Sequence, residues 1–139
     1  MSTASDIADG VVTLINQGSY SKSFTAKRVA VPSFELETLK AVEVHIWPES
    51  ERYAGSSRSG TEIEYTISLA LRAPVDPYNS EQLNGLLTLV EEIQDTLLTV
   101  AVDSAGFRGM EADPLYNLDT LDDLRAFVSV LSLTYIKVR

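Results

Sequence analysis

Residues 61–72, TEIEYTISLALR, alternate along their whole length. Ile63, Tyr65, Ile67, Leu69 and Leu71 occupy the odd positions. Glu62, Glu64, Thr66, Ser68, Ala70 and Arg72 occupy the even ones. Successive side chains of a strand point to opposite faces, so this period predicts a strand with one face in a core and one face in water. The chain is read outward from this strand.

On its N-terminal side, residues 41–47 (AVEVHIW) alternate again. Val42, Val44 and Ile46 fall on one side, and Glu43, His45 and Trp47 on the other. Pro48, which has no N–H to give a ladder, is expected to end this strand. Consecutive strands tend to pair, which places it beside residues 61–72. The intervening residues 49–60 (ESERYAGSSRSG) are polar and rich in Ser and Gly, and read as a long flexible hairpin loop. Deleting residues 52–59 is then expected to leave the fold intact but to weaken any assembly the loop takes part in. Residues 24–31 predict a further strand ended by Pro32, and the following SFELETLKA a turn or helical turn.

Residues 3–17 predict a helix, with Thr3 and Asp6 as a capping box, Ile7, Val11, Leu14 and Ile15 on one face, and Gly18 past its end. Gly10 inside it costs about 1 kcal/mol of helix propensity. On the far side of the central strand, Asn79 predicts an N-cap for a helix over residues 80–101. Its apolar face comprises Leu83, Leu86, Leu87, Val90, Ile93, Leu97 and Leu98. Residues 106–108 read as a short edge strand, and Asn117 or Asp119 as the cap of a short helical turn. Residues 127–138 (FVSVLSLTYIKV) predict a strand apolar on both faces. That pattern fits a central strand between helices, or one whose second face meets another chain. Together these elements predict one α/β domain of the α+β type over residues 1–139. Its sheet is mainly antiparallel, of about four strands, flanked by two or three helices.

Hydrophobic residues make up 45% of the 139 and charged residues 22%, enough apolar side chain for a real core. No run is long enough to span a bilayer, and the N-terminus lacks the pattern of a secretory signal, so synthesis in the cytoplasm is expected. There is no cysteine, which excludes disulfides, thiolate nucleophiles and Cys-based zinc sites. Lys and Arg number 11 against 20 Asp and Glu, a formal charge of −9. That balance argues against gripping nucleic acid by its phosphates, and is compatible with lining a passage through which DNA slides.

No catalytic signature emerges. His45 is the single histidine, with no Ser or Cys partner at a recognisable elbow. Glu91, Glu92 and Asp95 lie on the wet face of a helix, and Asp119, Asp122 and Asp123 near a helix start; neither set has the spacing of a calcium loop. GSSRSG lacks the Gly-Lys-Ser/Thr end of a phosphate loop and precedes a strand. No cofactor and no metal are expected, and the chain is not read as an enzyme.

Several phrases occur together in a familiar order. Phe24-Thr25-Ala26 with Arg28 is followed by Pro32, Phe34, Leu36 and Leu39 at alternating spacing, then Val42 and Val44 leading to Pro48, then Ser57-Arg58. Later come Asp113-Pro114-Leu115-Tyr116, Leu121 with Leu124-Arg125, and Phe127, Ser129, Leu131 and Leu133-Thr134-Tyr135. Over roughly residues 20–138 the chain resembles the tail-terminator class of small neck and tail-completion proteins of tailed bacteriophages and prophages. The resemblance implies a structural virion protein of the tail and neck, with an antiparallel sheet flanked by helices. It implies a homo-oligomer, a hexameric ring, that caps the tail tube protein and meets the head–tail connector or head-closure protein. Genomic DNA would pass through the lumen without sequence-specific binding, and no membrane is involved. Head-closure and adaptor proteins of the neck also form rings, and that alternative stays open, as does a small acidic ligand-binding domain. A ring needs two different patches per protomer. Residues 49–60 and 107–123 are the candidate contacts, with Trp47, Tyr53, Arg58, Phe107, Arg108 and Tyr116 as candidate interface residues. For Trp47, packing against a helix of its own chain is an equal reading.

Overall fold

The computed structural model describes residues 2–30, 39–58, 60–112 and 115–139. The elements in chain order are α1 (Thr3–Asn16), β1 (Ala26–Arg28), β2 (Glu43–Ser57), β3 (Gly60–Pro74), α2 (Ser80–Leu97), β4 (Gly106–Glu111), α3 (Leu118–Leu124) and β5 (Ala126–Val138). One five-stranded sheet has the order β1-β2-β3-β5-β4. β1 runs parallel to β2 and the other pairs are antiparallel, so the sheet is mixed, and its five strands roughly match the mainly antiparallel sheet of about four that the sequence suggests.

β3 is the centre of this sheet. Its odd residues Ile63, Tyr65, Ile67, Leu69 and Leu71 are all buried, as alternation predicts. They lie against Ile7, Ala8, Val11 and Ile15 of α1 and Leu86, Leu89, Val90, Ile93 and Leu97 of α2 in one continuous core. Val44 and Ile46 of β2 and Phe127, Leu131, Leu133 and Tyr135 of β5 complete it. Every strand residue in this core belongs to one face of the sheet. Among the described residues the core holds nothing from the other face, which is left open.

The largest departure from the sequence reading is residues 49–60. Residues 49–57 are strand, not loop. β2 continues through Pro48 to Ser57, and Ser57 pairs with Gly60 of β3. Two register shifts, between Pro48 and Ser50 and between Tyr53 and Gly55, break the period-two pattern by which a strand is recognised. Pro48 does not end the strand because it sits at the first of these bulges, on a stretch that β1 does not reach. Beyond Ile46 the outer edge of β2 has no partner strand among the described residues, so its side chains are exposed and read as polar. Deleting 52–59 would therefore remove ladder pairs such as Arg52–Glu64 and Tyr53–Ile63, not a dispensable loop.

Gly60 closes the turn with φ +134°, and a Cβ there would stand 2.7 Å from the Arg139 carbonyl oxygen. Thr61 and Arg139 exchange two backbone hydrogen bonds (2.9 and 2.8 Å), which hold the end of β5 against the hairpin.

Smaller differences concern element ends. The N-cap of α1 is Ser2, whose hydroxyl accepts from the Ser5 N–H (3.1 Å), so Thr3 is already helical. Asn79 caps α2 as expected, accepting from the N–H groups of Glu81 and Gln82 (3.1 and 3.2 Å). α2 ends at Leu97; Leu98 turns out to solvent and Leu89 takes a core position instead. Asn117 caps α3. β1 is shorter than expected, and the turn expected over the SFELET residues lies outside the described ones.

Candidate functional site

The open face is built from alternate residues of three strands. β3 gives Glu64, Thr66, Ser68, Ala70 and Arg72, β2 gives Glu43, His45 and Trp47, and β5 gives Val128, Val130, Ser132, Thr134 and Ile136. At its centre the small residues Ser68 and Ala70 are buried, between Trp47 and His45 of β2 and Ser132 and Val130 of β5 in the ladder.

Arg72 is only 4% exposed although it lies on this face. Its Nη2 donates to Glu43 Oε2 (2.6 Å) and to His45 Nδ1 (3.1 Å). A guanidinium only donates, so His45 is neutral with its proton on Nε2. Burial and then the Arg72 charge hold the His45 pKa below its usual 6.5. Ser68 hydrogen-bonds Glu49, and Arg52 forms a salt bridge with Glu64. The hydrogen bond from Arg52 is the main cause holding the Glu64 carboxyl below its ordinary value. These groups pair with one another across neighbouring strands. Such pairing satisfies charge and fixes register.

The six candidate residues separate into two kinds. Tyr53 is 67% exposed, and Arg58 in the turn and Arg108 at the β4 bulge are exposed too. Trp47 is partly buried on the open face, opposite Ser68, and is not among the side chains packed against the core. Phe107 and Tyr116 pack inward: the Phe107 ring meets Tyr135 edge-on (centroids 5.9 Å apart), and the Tyr116 ring lies on Phe127 (5.7 Å).

The sequence reading missed the most exposed apolar group. Tyr78 is 82% exposed and Leu118 68%, and Leu115 and Leu124 are exposed as well. The Val75 N–H donates to the Arg125 carbonyl (2.9 Å), so the β3–α2 turn and α3 stand at the same end of the sheet. Asp76, Asp119, Asp122 and Asp123 surround these residues in sequence and are exposed. Leu118 and Leu124 were hidden in the sequence because they keep helical spacing to buried Leu121 and read as core.

Among the described residues, no three His, Asp or Glu come together in a group that could hold a metal, and no helix is long and apolar enough to cross a membrane. No protein-family model and no curated protein sequence matches the chain.

Proposed function

We propose that this chain is a structural virion protein that forms a ring, caps a phage tail tube and joins it to the head connector, with DNA passing through the lumen. The single observation that carries an assembly role is the exposure of Tyr78, Leu115, Leu118 and Leu124, on segments that meet at one end of the sheet. Large apolar side chains concentrated under a charged rim mark protein–protein contacts. The terminator role itself rests on the sequence resemblance described above, and the acidic balance suits a passage that must not bind DNA. In this reading the ion pairs of the open face serve register, and the protein makes and breaks no bonds.

The test is electron microscopy of the purified protein, alone and mixed with tail tubes. Rings of about six chains, or caps on tube ends, are expected from the resemblance. A protein that neither forms rings nor binds tubes refutes the proposal. Preferential binding to the portal or adaptor ring over the tube would assign the chain to head closure instead.

A further inference from the structure

We infer that this chain carries a small-molecule site beside α2, and that the site takes a free carboxylate with an unbranched aliphatic tail. The inference goes beyond the ring reading and does not depend on it.

The site is a cavity of about 270 Å³. Its apolar wall is Ala41, Val42, Ala73, Pro74 and Leu86. These residues come from the approach to β2, the end of β3 and the first turns of α2. The cavity exists because one core position is small. Along β3 the inward residues run Ile63, Tyr65, Ile67, Leu69 and Leu71, and then Ala73. The space that a further leucine would fill stays open beside Val42 and Leu86.

Two polar groups complete the lining, Lys22 and Gln82. The Gln82 Oε1 accepts from the Asp76 N–H (2.9 Å), so the amide has its two N–H donors left to offer. Lys22 is on the connection between α1 and β1, and its neighbours tie that connection down. The Ser21 N–H and hydroxyl both donate to the Glu92 carboxylate of α2 (3.2 and 2.6 Å). The Tyr20 hydroxyl donates to the Ile15 carbonyl (2.7 Å). The arm of Lys22 then lies across α2, with Nζ 3.6 Å from the point that a Cβ on Gly85 would occupy.

Lys22 makes no ion pair among the described residues. Glu92 is engaged by Ser21, and the exposed Asp76 and Glu81 are outside the lining. Among the described residues the cavity is therefore lined by one cation, amide donors and apolar wall, with no carboxylate. A ligand amine or metal cation finds no counter-charge there. A polyanion such as nucleic acid is repelled by the −9 of the whole chain. What fits is a single negative charge on an apolar body.

Size narrows the class further. An apolar cavity of about 150 Å³ holds benzene, with its six carbons. In proportion this one holds about ten non-hydrogen atoms, the number in octanoate. An aliphatic side chain of a docked peptide brings only about four carbons and would leave much of the wall without contact. The carboxylate sits at the exposed Lys22, and the tail runs inward along Val42, Ala73 and Leu86.

The experiment titrates the full-length protein with butyrate, hexanoate, octanoate and decanoate, followed by calorimetry and by amide NMR shifts. Affinity is expected to rise about fourfold per methylene up to octanoate and then to level off, as the cavity fills. Shifts are expected to gather at Lys22, Val42, Ala73, Gln82 and Leu86. Two variants at exposed positions separate charge from volume. Lys22→Ala is expected to weaken octanoate about fivefold and leave 1-octanol unchanged. Ala41→Phe fills the cavity and is expected to abolish both. Circular dichroism confirms that each variant folds. Absence of saturable octanoate binding would overturn the inference, as would shifts confined to other parts of the chain. Affinity that does not depend on tail length, or a Lys22→Ala variant that treats octanoate and 1-octanol alike, equally excludes it.

Discussion

Tyr65 and Tyr135 face each other across β3 and β5, both fully buried in the core. Neither hydroxyl finds a hydrogen-bond partner among the described residues. A buried polar group left unpaired costs about 1–3 kcal/mol, so Tyr135→Phe is expected to leave stability unchanged or raise it by about 1 kcal/mol, measured by urea unfolding. Burial also pushes the Tyr135 phenol up to about 12 from its usual 10. The sign follows from linkage: above pH 10 the unfolded chain loses this proton before the folded one does, so stability declines between pH 10 and 12. Two pH units correspond to about 3 kcal/mol at full effect. Ultraviolet titration should show one tyrosine ionising only near pH 12, and this late step should vanish in Tyr135→Phe. The shift at His45 works at the acid end. Its folded-state pKa lies below 6.5, so the unfolded chain takes up the proton first. The stabilisation is present above pH 6.5 and is lost as pH falls through the folded value. His45→Gln is expected to flatten the stability profile below pH 6.5, and an unchanged slope would remove His45 as its source.

At the scale of elements, α1 contains a glycine that propensity alone would discourage. A Cβ at Gly10 would sit 2.4 Å from Val102 Cγ1, in a branched side chain that has little room to turn away. Gly10→Ala therefore gains about 1 kcal/mol of helix propensity but forces overpacking that costs about 1–3 kcal/mol. A net loss is expected in thermal melting, reversed by pairing it with Val102→Ala. α2 shows the opposite case. Its last turn carries Asp95 and no basic residue, at the end where the helix dipole favours a cation. Asp95 is exposed, so Asp95→Lys is expected to raise stability by about 0.5 kcal/mol, with less gain at high salt. The edges of the sheet are also shaped. β2 and β4 both carry bulges, and β2 adds Pro48, Glu49 and Arg52 along its outer stretch. Such features interrupt the regular row of N–H and C=O groups that another strand would need. This favours contacts through side chains at the ends of the sheet over strand addition along its edge.

At the scale of the molecule, charge divides by layer. The three helices carry Asp6, Asp9, Glu81, Glu91, Glu92, Asp95, Asp119, Asp122 and Asp123 and no Lys or Arg, while the strands hold basic groups such as Lys27, Arg52, Arg72 and Lys137. Like charges on one side of a small domain repel, and salt screens them within about 10 Å at 0.1 M. The melting temperature of the monomer is expected to rise from low to physiological salt. An unchanged melting temperature over that range would show that this repulsion does not limit stability.

The sequence by itself determined whatever a local period could encode. The alternation of β3 named its buried residues, Asn79 named the start of α2, and the double-faced β5 announced a strand whose second face needed explaining. Side-chain direction repeats with the backbone, so these follow from spacing alone. Only the tertiary structure decided what depends on which neighbour is present. It turned residues 49–57 from loop to ladder, because two bulges had scrambled a period that β3 nevertheless pairs with. It drew Phe107 and Tyr116 inward against β5 and left Tyr78 and Leu118 in solvent. Exposure is a property of packing at long range, and no spacing along one chain records it.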